Sequence, residues 1–360
     1  MMHSHHKTIM TIVMTLLILM IDQSKASQPL SVEILDDAYL QHPQTDNLSS
    51  VVQTALPIAD SVIIESDEPC AMAGDRLWLI STRHLATQAC RANLDSVDFC
   101  VSQLDTCGNR TPQPFESFLS NLSADRTVVI HVHGNRLTEA EAKVRGRFVY
   151  RNVKSNAADI PMDFICFSWP AEQQGWLIRD GRTKAEITEA QSLYFATLMR
   201  ELVKRESSIV VVAYSFGSRV VSGGLHCLAG GSLSGRRLPT EPIVGANIAV
   251  GMVAPAVQAD WLGNDRRHAM ATKNISELTI LFNTRDAVLK RYWLVESGSR
   301  GPALGYAGPT RIAPGYNGMP VPLIKCDCAR FLGLAHNEQE YYTDGCNAGR
   351  MMAALIRKNR

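Results

Sequence analysis

Apolar, β-branched runs recur along this chain with amphipathic segments between them, and that alternation limits its architecture more than any other feature. The runs are Thr127 to Val132, Asp163 to Trp169, Ile209 to Ala213, Ile243 to Val253, Leu278 to Phe282 and Val321 to Cys326. A run that is apolar at successive positions has both faces buried, as strands of a parallel sheet do. Leu137 to Asn152 reads as a helix, with Thr138 at its cap and Glu139 and Glu141 placed to meet the positive end of the helix dipole. Thr183 to Arg205 is a long amphipathic helix, and another helix starts at about Gly217. Strands alternating with helices predict βαβ units and a mostly parallel, twisted sheet with helices on both faces. Leu77 to Ser81 and Phe99 to Leu104 are shorter strand candidates, and Phe115 to Leu122 is a short helix. Ligands of such sheets bind beyond the carboxyl ends of the strands, so motifs at those ends carry the chemistry.

The N-terminus has a different character. His3, His5, His6 and Lys7 precede an apolar run from Ile9 to Ile21, and small residues stand at Ser24 and Ala26. This three-part pattern predicts a secretory signal peptide over residues 1–26, cut after Ala26, and hence an exported protein. The run is short for a membrane span, so no stable span is expected after cleavage; an uncleaved anchor is the alternative. Residues 27–70, with Pro29, Pro43 and Pro57, read as an irregular leader. Residues 71–360 then form one domain with a cysteine-rich N-terminal extension. A formal net charge of +1 over 360 residues gives no field for nucleic acid.

Nine cysteines in an exported chain predict disulfides, with the pairing open and at least one thiol left over. Cys70, Cys90, Cys100 and Cys107 cluster early, and Cys326, Cys328 and Cys346 lie late. Cys166 and Cys227 fall inside core elements and read as small buried hydrophobes. Cys326-x-Cys328 with His336 lacks a second ligand pair, so neither a metal nor a cofactor is expected.

The segment Ile209-Val-Val-Val-Ala-Tyr-Ser-Phe-Gly-Ser-Arg219 runs a strand into a tight turn and a helix, with Ser215 at the turn. It resembles a nucleophile elbow with Ala213 in place of the first glycine. The positions two before and two after the serine must be small because strand and helix approach closely there, and Ala213 and Gly217 are. The ordinary alternative is a serine N-cap. An earlier strand ends in His131-Val-His133-Gly134-Asn135, where Gly134 lets backbone approach a substrate. The amides of Asn135 and Phe216 are the candidate oxyanion donors. His133 reads as a brace for this loop and His131 as core.

A serine hydroxyl needs a base, and the base an orienting carboxylate. Among the later histidines, His226 is about three turns into the helix and points away. His268 precedes the last strands, whereas His336 follows the final one and is the expected base. Asp286, at the carboxyl end of Leu278 to Phe282, is the expected acid, with Asp260 as its rival.

Together, Val132-His-Gly-Asn135, Phe167-Ser-Trp-Pro170 and Ala213-Tyr-Ser-Phe-Gly217 resemble a branch of the α/β-hydrolase superfamily whose function is not established. The resemblance covers roughly Leu77 to Tyr342. It implies the α/β-hydrolase fold and hydrolysis of ester-type bonds in the order nucleophile, acid, histidine. The expected protein is therefore a secreted serine hydrolase acting on small-molecule or lipid-like carboxylic esters or thioesters through an acyl-enzyme. The alternative is a non-catalytic binding protein that keeps the fold. Trp169, Trp176 and Trp261 stand where they either line an apolar substrate pocket or pack beneath loops. The Gly/Pro-rich stretch from Gly298 to Pro322 reads as a lid or binding loop. Neither the substrate nor the oligomeric state is legible.

Overall fold

The computed structural model describes residues 74–105, 107–174, 177–205, 207–296 and 301–360. The predicted signal peptide, the leader, Cys70 and Trp176 lie outside them. Strands β1 (Arg76–Ser81), β2 (Cys100–Leu104) and β3 (Arg110–Gln113) come first, followed by helix α1 (Phe115–Asn121). Then β4 (Thr127–Val132), α2 (Glu139–Lys154), β5 (Met162–Ser168), α3 (Leu177–Val203), β6 (Ile209–Tyr214) and α4 (Phe216–Leu228) alternate. Strands β7 (Ile248–Val253), β8 (Ile275–Phe282) and β9 (Leu323–Asp327) complete the sheet. Four more helices, α5 (Leu304–Ala307), α6 (Ala329–Leu332), α7 (Glu338–Thr343) and α8 (Ala348–Lys358), lie between or after the last strands.

The sheet has nine strands in the order β3-β2-β1-β5-β4-β6-β7-β8-β9. Only the β1–β2 and β2–β3 pairs are antiparallel; all others are parallel. Register shows how the two faces are filled. Cys166, His131, Val212 and Gly251 are neighbours across four strands, so their side chains share one face. A Cβ on Gly146 of α2 would meet Cys166 Sγ, and one on Gly251 would meet Met352 Sδ of α8, so α2 and α8 cover that face. Phe167 points the other way, into an edge contact with Phe195 of α3 at 5.4 Å. Helices α3 and α4 pack together on that side. The predicted mostly parallel sheet with helices on both faces is therefore observed.

Local physics accounts for most boundaries. Thr138 caps α2 in a capping box: its hydroxyl accepts from the Glu141 amide, and the Glu141 carboxylate accepts from the Thr138 amide at 2.7 Å. The strand expected from Ile243 starts only at Ile248, because Gly245 takes φ +80° and its amide turns away to Lys273 O. Strand β3 was hidden by Pro112, which cannot donate to a ladder; β3 lies at the sheet edge, where that is tolerated. Beyond the last predicted strand, the amphipathic helix α8 buries Met352, Leu355 and Ile356 against the sheet.

The cysteines divide into a pair and free thiols. Cys328 and Cys346 form a disulfide, so Cys326-x-Cys328 is not a ligand pair. Cys166 and Cys227 are buried, and desolvation pushes each thiol up to about 12. Cys90, Cys100 and Cys107 are exposed thiols, so the one disulfide among the described residues joins two of the late cysteines. Among the described residues no helix is long and apolar enough to cross a membrane.

Helix α4 lies so close to β4 that a Cβ at Gly217 would stand 2.1 Å from the Val132 carbonyl oxygen and 2.7 Å from that of His133. Backbone cannot yield as a flexible side chain can. Gly217→Ala is expected to lower stability by about 1–3 kcal/mol, read as a lower urea midpoint with an unchanged slope. A midpoint equal to wild type would contradict this packing.

Candidate functional site

Strand β6 ends at Tyr214 and helix α4 begins at Phe216, so Ser215 alone makes the turn between them. Its backbone takes φ 48° and ψ −119°, a conformation L-residues avoid and which costs on the order of 1–3 kcal/mol. Three hydrogen bonds hold it. The Ser215 amide donates to Val253 O at 3.0 Å, and its carbonyl accepts from the amides of Ser218 (3.0 Å) and Ala256 (3.1 Å). The elbow is therefore clamped to the chain leaving β7.

Ser215 Oγ lies 3.0 Å from His336 Nε2, and His336 Nδ1 lies 2.7 Å from Asp286 Oδ2. A carboxylate only accepts, so Nδ1–H donates to Asp286 and Nε2 is left to accept from Ser215. The three side chains thus form one continuous relay. Asp286 is fully buried, and its other oxygen accepts from the amides of Val288 (2.9 Å) and Leu289 (2.8 Å). Asp260, the rival acid, is partly exposed and pairs with Arg266 at 3.3 Å.

The loop that carries His336 is held by a residue the sequence reading did not single out. Buried Asn283, at the end of β8, donates its amide to the carbonyls of Gly333 (3.1 Å) and Ala335 (3.2 Å). The Ala287 amide donates to Leu334 O at 3.1 Å. Two adjacent strand ends therefore fix Asp286 and His336 relative to each other. The Tyr214 ring stacks on His336 with centroids 5.4 Å apart, and burial keeps its hydroxyl protonated far above its ordinary range. An asparagine three residues before the expected acid was the available signal for Asn283.

The loop after β4 closes the other side. A Cβ on Gly134 would stand 2.7 Å from Tyr214 Cδ1 and 3.3 Å from Ser215 Cβ, so only glycine lets this loop lie beside the elbow. Among the described residues the amides of Asn135 and Phe216 donate to no protein acceptor. Phe216 is the first residue of α4, where an N–H has no partner within the helix. Asn135 is held by its side chain, which donates to buried Asp180 at 3.0 Å. Asp180 also accepts from the Gln174 amide at 2.7 Å and lies 3.6 Å from Lys184 Nζ.

His133 braces this loop. Its Nδ1–H donates to Gly134 O at 2.8 Å, while Nε2 accepts from the Trp169 amide at 3.3 Å. Burial, reinforced by the Arg83 guanidinium, holds its pKa well below the usual histidine value. His131 faces α7 instead, 2.8 Å from buried Glu338. Trp169 and Trp261 sit beneath loops, which is the packing alternative rather than a substrate wall. Trp169 is fully buried, donates its indole N–H to His133 O at 2.8 Å and stacks on the His133 ring. Trp261 is covered by the guanidinium groups of Arg219 and Arg267, 4.6 and 5.1 Å from its ring centre. His268 is buried against Ser222, at 2.8 Å, and is not part of the relay. Among the described residues no group of three or more His, Cys, Asp or Glu is arranged to hold a metal ion.

Residues 112–325 match a family described as alpha/beta hydrolase of unknown function (DUF900). No curated protein matches the chain. Among solved structures, an inhibited esterase B from Lactobacillus rhamnosis is similar at 11% identity and TM-score 0.37, over 81% of this chain and 90% of that one. LpqC, a poly(3-hydroxybutyrate) depolymerase from Bordetella parapertussis, matches at 12% identity and TM-score 0.36, over 72% and 85%. The catalytic core domain of acetyl xylan esterase from Trichoderma reesei matches at 12% identity and TM-score 0.34, over 66% and 100%.

Two buried histidines give the fold a pH signature. His133 and His268 are both held neutral by burial, with folded pKa values depressed below that of the unfolded chain. Their contribution is fully present above the unfolded value, about 6.5, and is lost as pH falls below it, because the unfolded state then binds more protons. Urea midpoints are expected to drop steadily from pH 7 to pH 5, approaching about 1.4 kcal/mol per pH unit for each histidine. A midpoint that stays level over this range would contradict two buried neutral rings.

Proposed function

The chain belongs to the α/β-hydrolase family of unknown function, and within it we propose an exported serine hydrolase that cleaves carboxylic esters or thioesters through an acyl-enzyme on Ser215. The observation that carries this reading is the unbroken relay from Ser215 Oγ through His336 to Asp286. In the first half-reaction Ser215 Oγ bonds to the carbonyl carbon while His336 Nε2 takes its proton. Buried Asp286 stabilises the imidazolium that forms. The carbonyl oxygen becomes an oxyanion facing the Asn135 and Phe216 amides, each such donor contributing about 3 kcal/mol to the transition state. Collapse expels the alcohol or thiol, which leaves with the proton from Nε2. Water then attacks the acyl carbon, Nε2 again serves as base, and the carboxylic acid departs as Ser215 regains its proton.

The substrate class is a small-molecule or lipid-like ester. Export rests on the apolar run and small residues of segment 1–26, and the Cys328–Cys346 disulfide suits an oxidising compartment. Rigidity at the elbow fits catalysis: a nucleophile held in a strained, clamped turn needs little reorganisation when charge develops.

The two candidate acids separate this mechanism from its rivals. On a short-chain p-nitrophenyl ester, Asp286→Asn is expected to lower kcat about ten-thousand-fold, by stabilising the wrong tautomer of His336. Asp260→Asn is expected to keep the wild-type rate. Wild-type turnover by Asp286→Asn would overturn the assignment.

A further inference from the structure

The end of the sheet that carries the relay also leaves apolar side chains in water. Val288 is 58% exposed, Trp293 49%, Phe331 46% and Leu334 54%. They stand on two segments that the Ala287–Leu334 backbone bond makes neighbours, one just after Asp286 and one just before His336. The 3-10 helix Leu289–Leu294 turns once every three residues. Leu289 and Tyr292 are its buried row, so Lys290 and Trp293 share one outward row, and Val288 and Arg291 share the other. In α6 Ala329 and Leu332 are buried, which leaves Arg330 and Phe331 outside, with the guanidinium 5.4 Å from the ring centre.

Charge on these segments is one-sided. Residues 284–294 and 329–335 contain Arg285, Lys290, Arg291 and Arg330 against one carboxylate, Asp286, which is buried on His336. Asp327, at the neighbouring end of β9, is held by the Thr284 hydroxyl at 2.7 Å. Large apolar side chains left exposed on neighbouring segments of a folded protein mark something that covers them. Apolar tips interleaved with Lys and Arg suit the boundary of an anionic bilayer, where the tips enter the acyl region and the cations meet the phosphates.

We propose that this rim docks on an anionic lipid surface and so presents the Ser215 site to esters held in that surface. The nature of the substrate rests on the serine hydrolase reading; the docking itself does not. The full chain is expected to cosediment with phosphatidylcholine vesicles containing phosphatidylglycerol, with binding that weakens as salt is added. Binding to pure phosphatidylcholine vesicles should be about tenfold weaker or less. Trp293→Ser/Phe331→Ser and Lys290→Glu/Arg330→Glu should each weaken binding to the anionic vesicles by about tenfold. Both should leave fluorophosphonate labelling of the vesicle-free protein unchanged, which also reports that they fold. The proposal is overturned if both variants bind as wild type does, as they would if the N-terminal apolar run did the binding. Equal binding to neutral vesicles, or a dimer that the same substitutions dissolve, overturns it too. Vesicle binding without labelling would keep the docking surface and remove the hydrolase reading. Labelling without vesicle binding would do the reverse.

Discussion

The turn at Ser215 is the constraint around which the rest of the structure is arranged. Its left-handed backbone is unfavourable for any side chain, and it persists because the surroundings determine it from both sides. The amide and carbonyl of Ser215 are bound by the chain around Val253 and Ala256, and α4 is pressed onto β4 where only Gly217 fits. The parallel sheet supplies the rigidity, since β6 is hydrogen-bonded along its length to β4 and β7. A serine in this position points out of the sheet at its carboxyl edge, and the neighbouring strand ends supply what surrounds it.

Those neighbours are fixed by hydrogen bonds between loops. Asn283 holds the carbonyls on either side of Leu334, Ala287 holds Leu334 itself, and Asp286 is anchored by two amides of its own loop. On the opposite side Trp169, His133 and Gly134 lock together, and Asp180 secures Asn135. Each link is short-range, yet together they set the positions of groups that are far apart in sequence. Ser215 and His336 are separated by 121 residues and meet at 3.0 Å.

Much of this was legible because the signals are local. Continuous β-branched runs announce buried parallel strands, and the strand–turn–helix around Ser215 needs small residues that any reader can see. The order of Asp286 and His336 along the chain follows from strand ends alone. What stayed hidden depends on tertiary partners. Pro112 disguises an edge strand, Gly245 cuts a strand short through its φ, and the role of Asn283 exists only once two loops are adjacent. The tryptophans show the same limit: sequence places Trp169 and Trp261 near the site, but burial and the groups stacked on them decide that they brace loops.

The proposed chemistry requires Ser215 to be an activated nucleophile. Treating the folded protein with a fluorophosphonate and locating the adduct by mass spectrometry tests this most directly. A single adduct on the peptide containing Ser215, absent in Ser215→Ala, is the predicted result. A folded sample that forms no adduct, or one modified elsewhere with Ser215 untouched, would contradict it.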